Sequence, residues 1–170
     1  MKRSAIHALT TLTLAATVML SACGFQLRGS NGQNALPFKT VYVGFPENSP
    51  VGNELRRYIR ATGETAVVND PKAAEALLEL LAESREKKIL TLNTQGRVRE
   101  YSLLYRLRFR MVDAKQKELL PPTEIVLKRD ITFNESQVMA KEKEEEMLYR
   151  DMQSDLVQQI LRRLSALKTA

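Results

Sequence analysis

Between Val98 and Val112 apolar and polar side chains alternate almost without a fault. Tyr101, Leu103, Tyr105, Leu107, Phe109 and Met111 fall on one side, with Ser102, Leu104, Arg106, Arg108 and Arg110 on the other. Successive side chains of a strand point to opposite faces, whereas a helix would scatter those apolar residues around its axis. The stretch therefore predicts one long strand with a buried face and a face carrying three arginines about 7 Å apart. Such a strand does not stand alone. The rest of the chain must supply neighbours in a sheet and a layer to cover the apolar side.

The neighbours are sought on either side. Asn93-Thr94-Gln95-Gly96-Arg97 and Asp113-Ala114-Lys115-Gln116-Lys117 read as turns that bracket the strand. Upstream, Lys72 to Glu83 has high helix propensity throughout, yet Leu78, Leu80 and Ala82 alternate with Glu79 and Glu83, and Ile89 to Leu92 favours a strand. We read a short helical turn over Pro71 to Glu75 and a long strand over Leu77 to Leu92. Downstream, Pro121-Pro122 marks an interruption or edge, after which Glu124 to Phe133 reads as a strand. Ile125, Leu127, Ile131 and Phe133 share one face of it with Arg129, while Lys128 and Asp130 point the other way. Lys39 to Phe45 is β-rich and reads as a first strand.

Two amphipathic helices supply the cover. Ser49 and Pro50 stand as N-cap and first helical residue; Val51, Leu55, Tyr58 and Ile59 follow on one face, Arg56, Arg57 and Arg60 on the other, and Gly63 stops the helix. After Asn134-Glu135-Ser136 a second helix runs from Gln137 to Leu167, about 45 Å long, with Leu148, Met152, Leu156, Ile160, Leu164 and Leu167 at helical spacing. Glu142, Glu144, Glu145 and Glu146 near its start and Arg162, Arg163 and Lys168 near its end complement the helix dipole, so the glutamate run needs no metal. The expected fold is α+β: a two-layer sandwich in the order β-α-β-β-β-α, with a roughly four-stranded mixed or antiparallel sheet and both helices on one face. The opposite face would carry Arg106, Arg108 and Arg110, joined by Lys128 from the next strand.

The start of the chain is an address rather than part of that domain. Lys2 and Arg3 precede an apolar run from Ala5 to Leu20, too short to span a bilayer as a helix, and Leu20-Ser21-Ala22-Cys23 resembles the lipobox of bacterial lipoproteins. Cleavage before Cys23 would leave 148 of the 170 residues and lower the formal charge from +6 to +4. Lipid chains on Cys23 would then hold the protein on a membrane surface, and an exported lipoprotein meets no nucleic acid. The same processing removes the only histidine, His7, and consumes the only thiol. That excludes Ser-His-Asp and Cys-His nucleophile pairs, zinc sites on His or Cys ligands, and a disulfide framework. Carboxylate pairs and Ser-Lys dyads survive that filter, yet the acidic residues sit mostly in a solvated run and no Ser-x-x-Lys opens a helix in the mature chain. The sequence therefore points to a binding or assembly module, not an enzyme, with no cofactor implied.

The lipobox cysteine is followed at once by Gly24-Phe25-Gln26-Leu27-Arg28-Gly29. With a strand, an arginine-bearing helix, three hairpin-linked strands of which one opens on Glu100-Tyr101, and a long final helix, the mature chain resembles the LptE (RlpB) family of lipopolysaccharide-assembly lipoproteins. The helix-prone stretch near Leu77 to Leu81 departs from the more β-like segment of that family.

The resemblance implies residues 1–22 as signal peptide, 23–37 as lipidated N-terminus and tether, and 38–170 as one LptE-like domain. It implies a plug and assembly factor within the LptD β-barrel, at the periplasmic side of the outer membrane, delivering lipopolysaccharide to the cell surface and binding it; Gly24 rather than Asp after the cysteine agrees with outer-membrane sorting. Arginine forks make bidentate, charge-assisted contacts to phosphate, so Arg106, Arg108, Arg110 and Lys128, with Arg97 and Arg99 in and after the turn, are candidate ligand residues. Lys141 joins them because the resemblance puts ligand near the start of the last helix. For the arginine row, a solvated face, contact with a barrel and contact with lipopolysaccharide all stay open. The alternative for the whole chain is a periplasmic lipoprotein module for another envelope protein or anionic ligand.

Overall fold

The structure, a computed structural model, describes residues 36–167. The signal segment and the proposed lipidation site, Cys23, lie outside the described residues. Five strands and two helices follow in order: β1 (Thr40–Gly44), α1 (Pro50–Thr62), β2 (Ala66–Val68), β3 (Ala76–Leu92), β4 (Val98–Asp113), β5 (Glu118–Thr132) and α2 (Val138–Ser165). The strands form one mixed sheet in the order β2-β1-β3-β4-β5. β1 runs parallel to both β2 and β3, and β3, β4 and β5 form an antiparallel meander.

The two-layer α+β architecture is as expected, with one strand more than the four anticipated. The addition is β2, a three-residue edge strand too short to show a period. The expected helical turn is a single 3-10 turn at Pro71–Ala73, capped by the Asp70 side chain. Pairing decided the helix-prone stretch after it, because Ala76–Glu79 lies between β1 and β4. β5 starts earlier than expected, at Glu118, and runs through both prolines. Its ladder with β4 skips there, from Phe109↔Thr123 to Met111↔Leu120. An edge position and a register irregularity are the places in a sheet where missing N–H groups are tolerated.

Local chemistry places α1. Ser49 Oγ accepts the Gly52 N–H at 3.1 Å, and Gly63, at φ 72°, ends the helix with its N–H on Arg60 O. Gly52 lets the helix lie directly on the end of β1, since a Cβ there would stand 2.5 Å from Phe45 Cβ. Arg56, expected among exposed arginines, instead donates Nη2 to Val43 O (3.0 Å) and Phe45 O (2.6 Å). It satisfies carbonyls where β1 leaves the sheet.

Both helices cover the same face. Leu55 and Ile59 of α1 and Met152, Leu156, Ile160 and Leu164 of α2 are fully buried against Leu103, Tyr105, Leu107 and Phe109 of β4. At about 1.5–3 kcal/mol for each such side chain this burial is the main stabilising contribution. Glu54 bridges the helices, accepting from Gln153 Nε2 (2.8 Å) and Ser154 Oγ (3.0 Å).

β1 accompanies β3 only as far as Glu79, so the rest of the β3–β5 meander projects beyond the small parallel part. Near that point the ladder slips, with Leu80 opposite Phe109 and Ala82 opposite Arg108. One extra residue in a strand flips every side chain after it to the other face. Leu78 and Leu80 therefore face the helices, and so do Glu83, Arg85 and Lys87 beyond the bulge, while Ser84, Glu86 and Lys88 join Arg106 on the open face. The sequence alternation had put Glu83 on the same side as Glu79; the bulge reverses it.

Candidate functional site

The open face of β3–β5 collects Arg106, Arg108, Arg110 and Lys128. It is not a bare basic row. Arg110 Nε lies 2.7 Å from Glu79 Oε2, Arg106 Nε 3.5 Å from Glu86 Oε1, Lys88 Nζ 2.9 Å from Glu86 Oε2, and Lys128 Nζ 3.5 Å from Asp130 Oδ1. The hydrogen bond and charge of Lys88, with a smaller contribution from Arg106, hold the Glu86 carboxyl below the usual carboxylate range. Arg108 stands across from Glu124 of β5 and makes no ion pair among the described residues. At the other end of the same face, Leu77 and Val112 pack with Ala74, Tyr42 and Val68 into a small apolar cluster.

Two buried side-chain polar atoms are left without a hydrogen bond among the described residues, Ser102 Oγ and Arg106 Nε. Both belong to β4 and both face away from the helices. Exposed ion pairs of this kind contribute about 0–1 kcal/mol, so each guanidinium can exchange its carboxylate for another anion at small cost.

The remaining candidates lie elsewhere. Arg97, at the β3–β4 turn, pairs with Glu135 at 2.8 Å, and Arg99 is exposed two residues further on. Lys141 is on the helix side, where its Nζ meets Glu144 Oε2 (2.8 Å) and Thr132 Oγ1 (3.0 Å). It borders a cavity of about 210 Å³ whose other walls include Lys87, Tyr101, Ile131, Phe133 and Glu145. The expected set is thus divided among three places: the open face, the hairpin tip, and the helix side near the tip.

The sequence reading missed a polar cluster under α2. Tyr105 donates its phenol hydrogen to Glu83 Oε1, and Arg85 Nη2 donates to Tyr105 Oη at 3.0 Å. The Arg85 guanidinium lies 4.5 Å from the Tyr105 ring centre and 5.5 Å from that of Tyr149. Burial, then the Glu83 carboxylate, pushes the Tyr105 phenol up to about 12, against the opposing pull of Arg85. Burial and Glu145 raise Tyr149 as well. The only signal for this cluster was the run of charges in β3, whose facing depends on the bulge.

A two-layer α+β domain with one sheet face covered by helices and the other open, bearing paired and unpaired cations, is a protein built to present a surface. Among the described residues no helix is long and apolar enough to cross a membrane. The profile of the LptE lipopolysaccharide-assembly family matches residues 38–164, and the chain belongs to that family. It is 24% identical over 159 residues to the LPS-assembly lipoprotein LptE of Pectobacterium atrosepticum, across 93% of this chain and 85% of that one. The corresponding protein of Yersinia enterocolitica is 25% identical over 171 residues, across 96% and 79% of the two chains.

Among solved structures, lipoprotein B of Nitrosomonas europaea is 45% identical with a TM-score of 0.72, over 84% of this chain and 91% of that one. Rare lipoprotein B of Shewanella oneidensis is 25% identical with a TM-score of 0.64, over 75% and 94%. The family is one of lipopolysaccharide-assembly lipoproteins of the cell envelope, not a known enzyme family.

Proposed function

We propose that this chain is an outer-membrane lipoprotein, processed by removal of residues 1–22 and anchored through lipid on Cys23. It assembles with an LptD-like β-barrel as its plug, serves delivery of lipopolysaccharide to the cell surface, and binds lipopolysaccharide itself. Family membership across residues 38–164 carries this reading. The interleaved acidic and basic side chains of the open face support a large partner there. A surface of mixed sign fits a protein wall of complementary mixed sign. Phosphate binding falls first to Arg108 and Lys128 on the face and Arg99 towards the tip, with Arg106, Arg110, Arg97 and Lys141 able to exchange Glu86, Glu79, Glu135 and Glu144 for phosphate.

The test is an affinity pull-down of the mature lipidated protein from outer-membrane extract, comparing wild type with Arg106→Glu/Arg108→Glu. A stoichiometric barrel with the wild type supports the plug reading, and loss of lipopolysaccharide alone in the variant assigns the face to ligand. Loss of the barrel in the variant assigns the face to the partner. Absence of any barrel, under conditions that keep membrane complexes intact, overturns the reading in favour of a free-standing envelope module.

A further inference from the structure

α2 is two helices in physical terms. Every buried residue in it lies at or after Met152: Met152, Leu156, Val157, Ile160, Leu161 and Leu164. Residues 138–151 contribute none, and three of their apolar side chains, Val138, Met139 and Met147, are exposed. Only Leu148 and Tyr149 of this half pack against the core, at its end.

What holds the first half to the sheet is polar. Lys87 Nζ meets Glu145 Oε2 at 2.6 Å, Lys141 Nζ meets Thr132 Oγ1 at 3.0 Å, and Tyr149 Oη donates to Glu86 O at 3.0 Å. Beneath these links the packing is incomplete, since the cavity of about 210 Å³ lies between Val138, Lys141 and Glu145 above and Tyr101, Ile131 and Phe133 below. The start of the helix is weak as well. Gln137 makes no side-chain capping bond, and the first turn carries no acidic side chain to meet the helix dipole.

We infer that residues 138–149 form a strap that opens as a unit while the helix from Met152 onward stays docked. The boundary is the clasp in which the Tyr105 and Tyr149 rings meet edge-to-face at 6.3 Å and Arg85 lies against both. Opening uncovers a trough lined by Tyr101, Ile131 and Phe133, of which Tyr101 and Phe133 are in edge-to-face contact at 5.3 Å. Detached, the 12 residues of the strap stand at the lower limit of the roughly 12–15 below which a helix without tertiary packing is marginal in water. They therefore lose their helical hydrogen bonds when they lift, and their amides exchange with solvent. The element that Lys87 controls is local: its amine also lies 4.3 Å from the Tyr101 ring centre, so one side chain links the strap, the strand and the trough.

Hydrogen–deuterium exchange on the full lipidated chain in dodecyl maltoside micelles reads this directly. The amides of 140–149 should exchange on the order of a hundredfold faster than those of 155–164, as sub-global opening does relative to global unfolding. Lys87→Glu should speed exchange in 140–149 by about fivefold, the factor that goes with one lost contact of this kind, and leave 155–164 unchanged. The charge swap Lys87→Glu/Glu145→Lys should return it to the wild-type rate. If both halves of α2 exchange together in the wild type, or if Lys87→Glu speeds them equally or not at all, the strap does not exist. The wild-type measurement decides even if a variant fails to fold.

Discussion

The Tyr105 hydroxyl donates to Glu83 Oε1 across β3 and β4, with Arg85 on its other side, in a ring that is fully buried beneath α2. The fold favours the neutral phenol, whose pKa rises from the ordinary 10.0 to about 12. Below pH 10 this contribution to stability is whole. Above it the unfolded chain loses the proton first, and stability falls until the folded form titrates near 12. The loss over that window should reach about 2–3 kcal/mol. Urea midpoints at its two ends should fall further for wild type than for Tyr105→Phe, and equal slopes would contradict this account.

The two hairpin turns are chemically alike. Asn93 Oδ1 accepts the N–H groups of Gln95 and Arg97, and Asp113 Oδ1 those of Lys115 and Lys117. The left-handed position is Gly96, φ 75°, in the first and Gln116, φ 64°, in the second. A side chain there is strained by about 1 kcal/mol, so Gln116→Gly should raise stability by up to about 1 kcal/mol and Gly96→Ala lower it similarly. Thermal unfolding of the two variants should shift in opposite directions.

Gly52→Ala should destabilise although alanine is the better helix former. A methyl 2.5 Å from Phe45 Cβ must push α1 off β1, and overpacking of this kind costs about 1–3 kcal/mol, more than the ~1 kcal/mol gained in propensity. Chemical denaturation with an unchanged or raised midpoint would show that α1 can shift freely.

Glu54→Ala removes both acceptors from Gln153 and Ser154 and should cost about 1–2 kcal/mol. Glu54→Gln keeps an oxygen for one of them and should cost less. Wild-type denaturant midpoints in both variants would show that the bridge between the helices contributes nothing to stability.

Much of this protein was legible along the chain. The alternation in β4, the capping of α1 by Ser49 and Gly63, both hairpin turns and the apolar spacing from Met152 to Leu164 depend on residues close in sequence, and each has a local cause: pleat, cap, side chain to backbone bond, helical period. The family likeness rested on the same local order and on Cys23 with the residues after it.

Tertiary structure decided what depends on register and on neighbours. Ala76–Glu79 is strand despite helical propensity because β1 and β4 flank it, and Arg56 is structural because β1 ends within its reach. The skip between Leu80 and Ala82 turned Glu83, Arg85 and Lys87 under α2 and left Glu79 and Glu86 to meet Arg110 and Arg106. A single bulge exchanges the two faces of a strand beyond it, and local sequence carries no mark strong enough to locate it. The sequence by itself thus determined the elements and the family. Which charges are paired, and which face carries them, was decided by how the strands came into register.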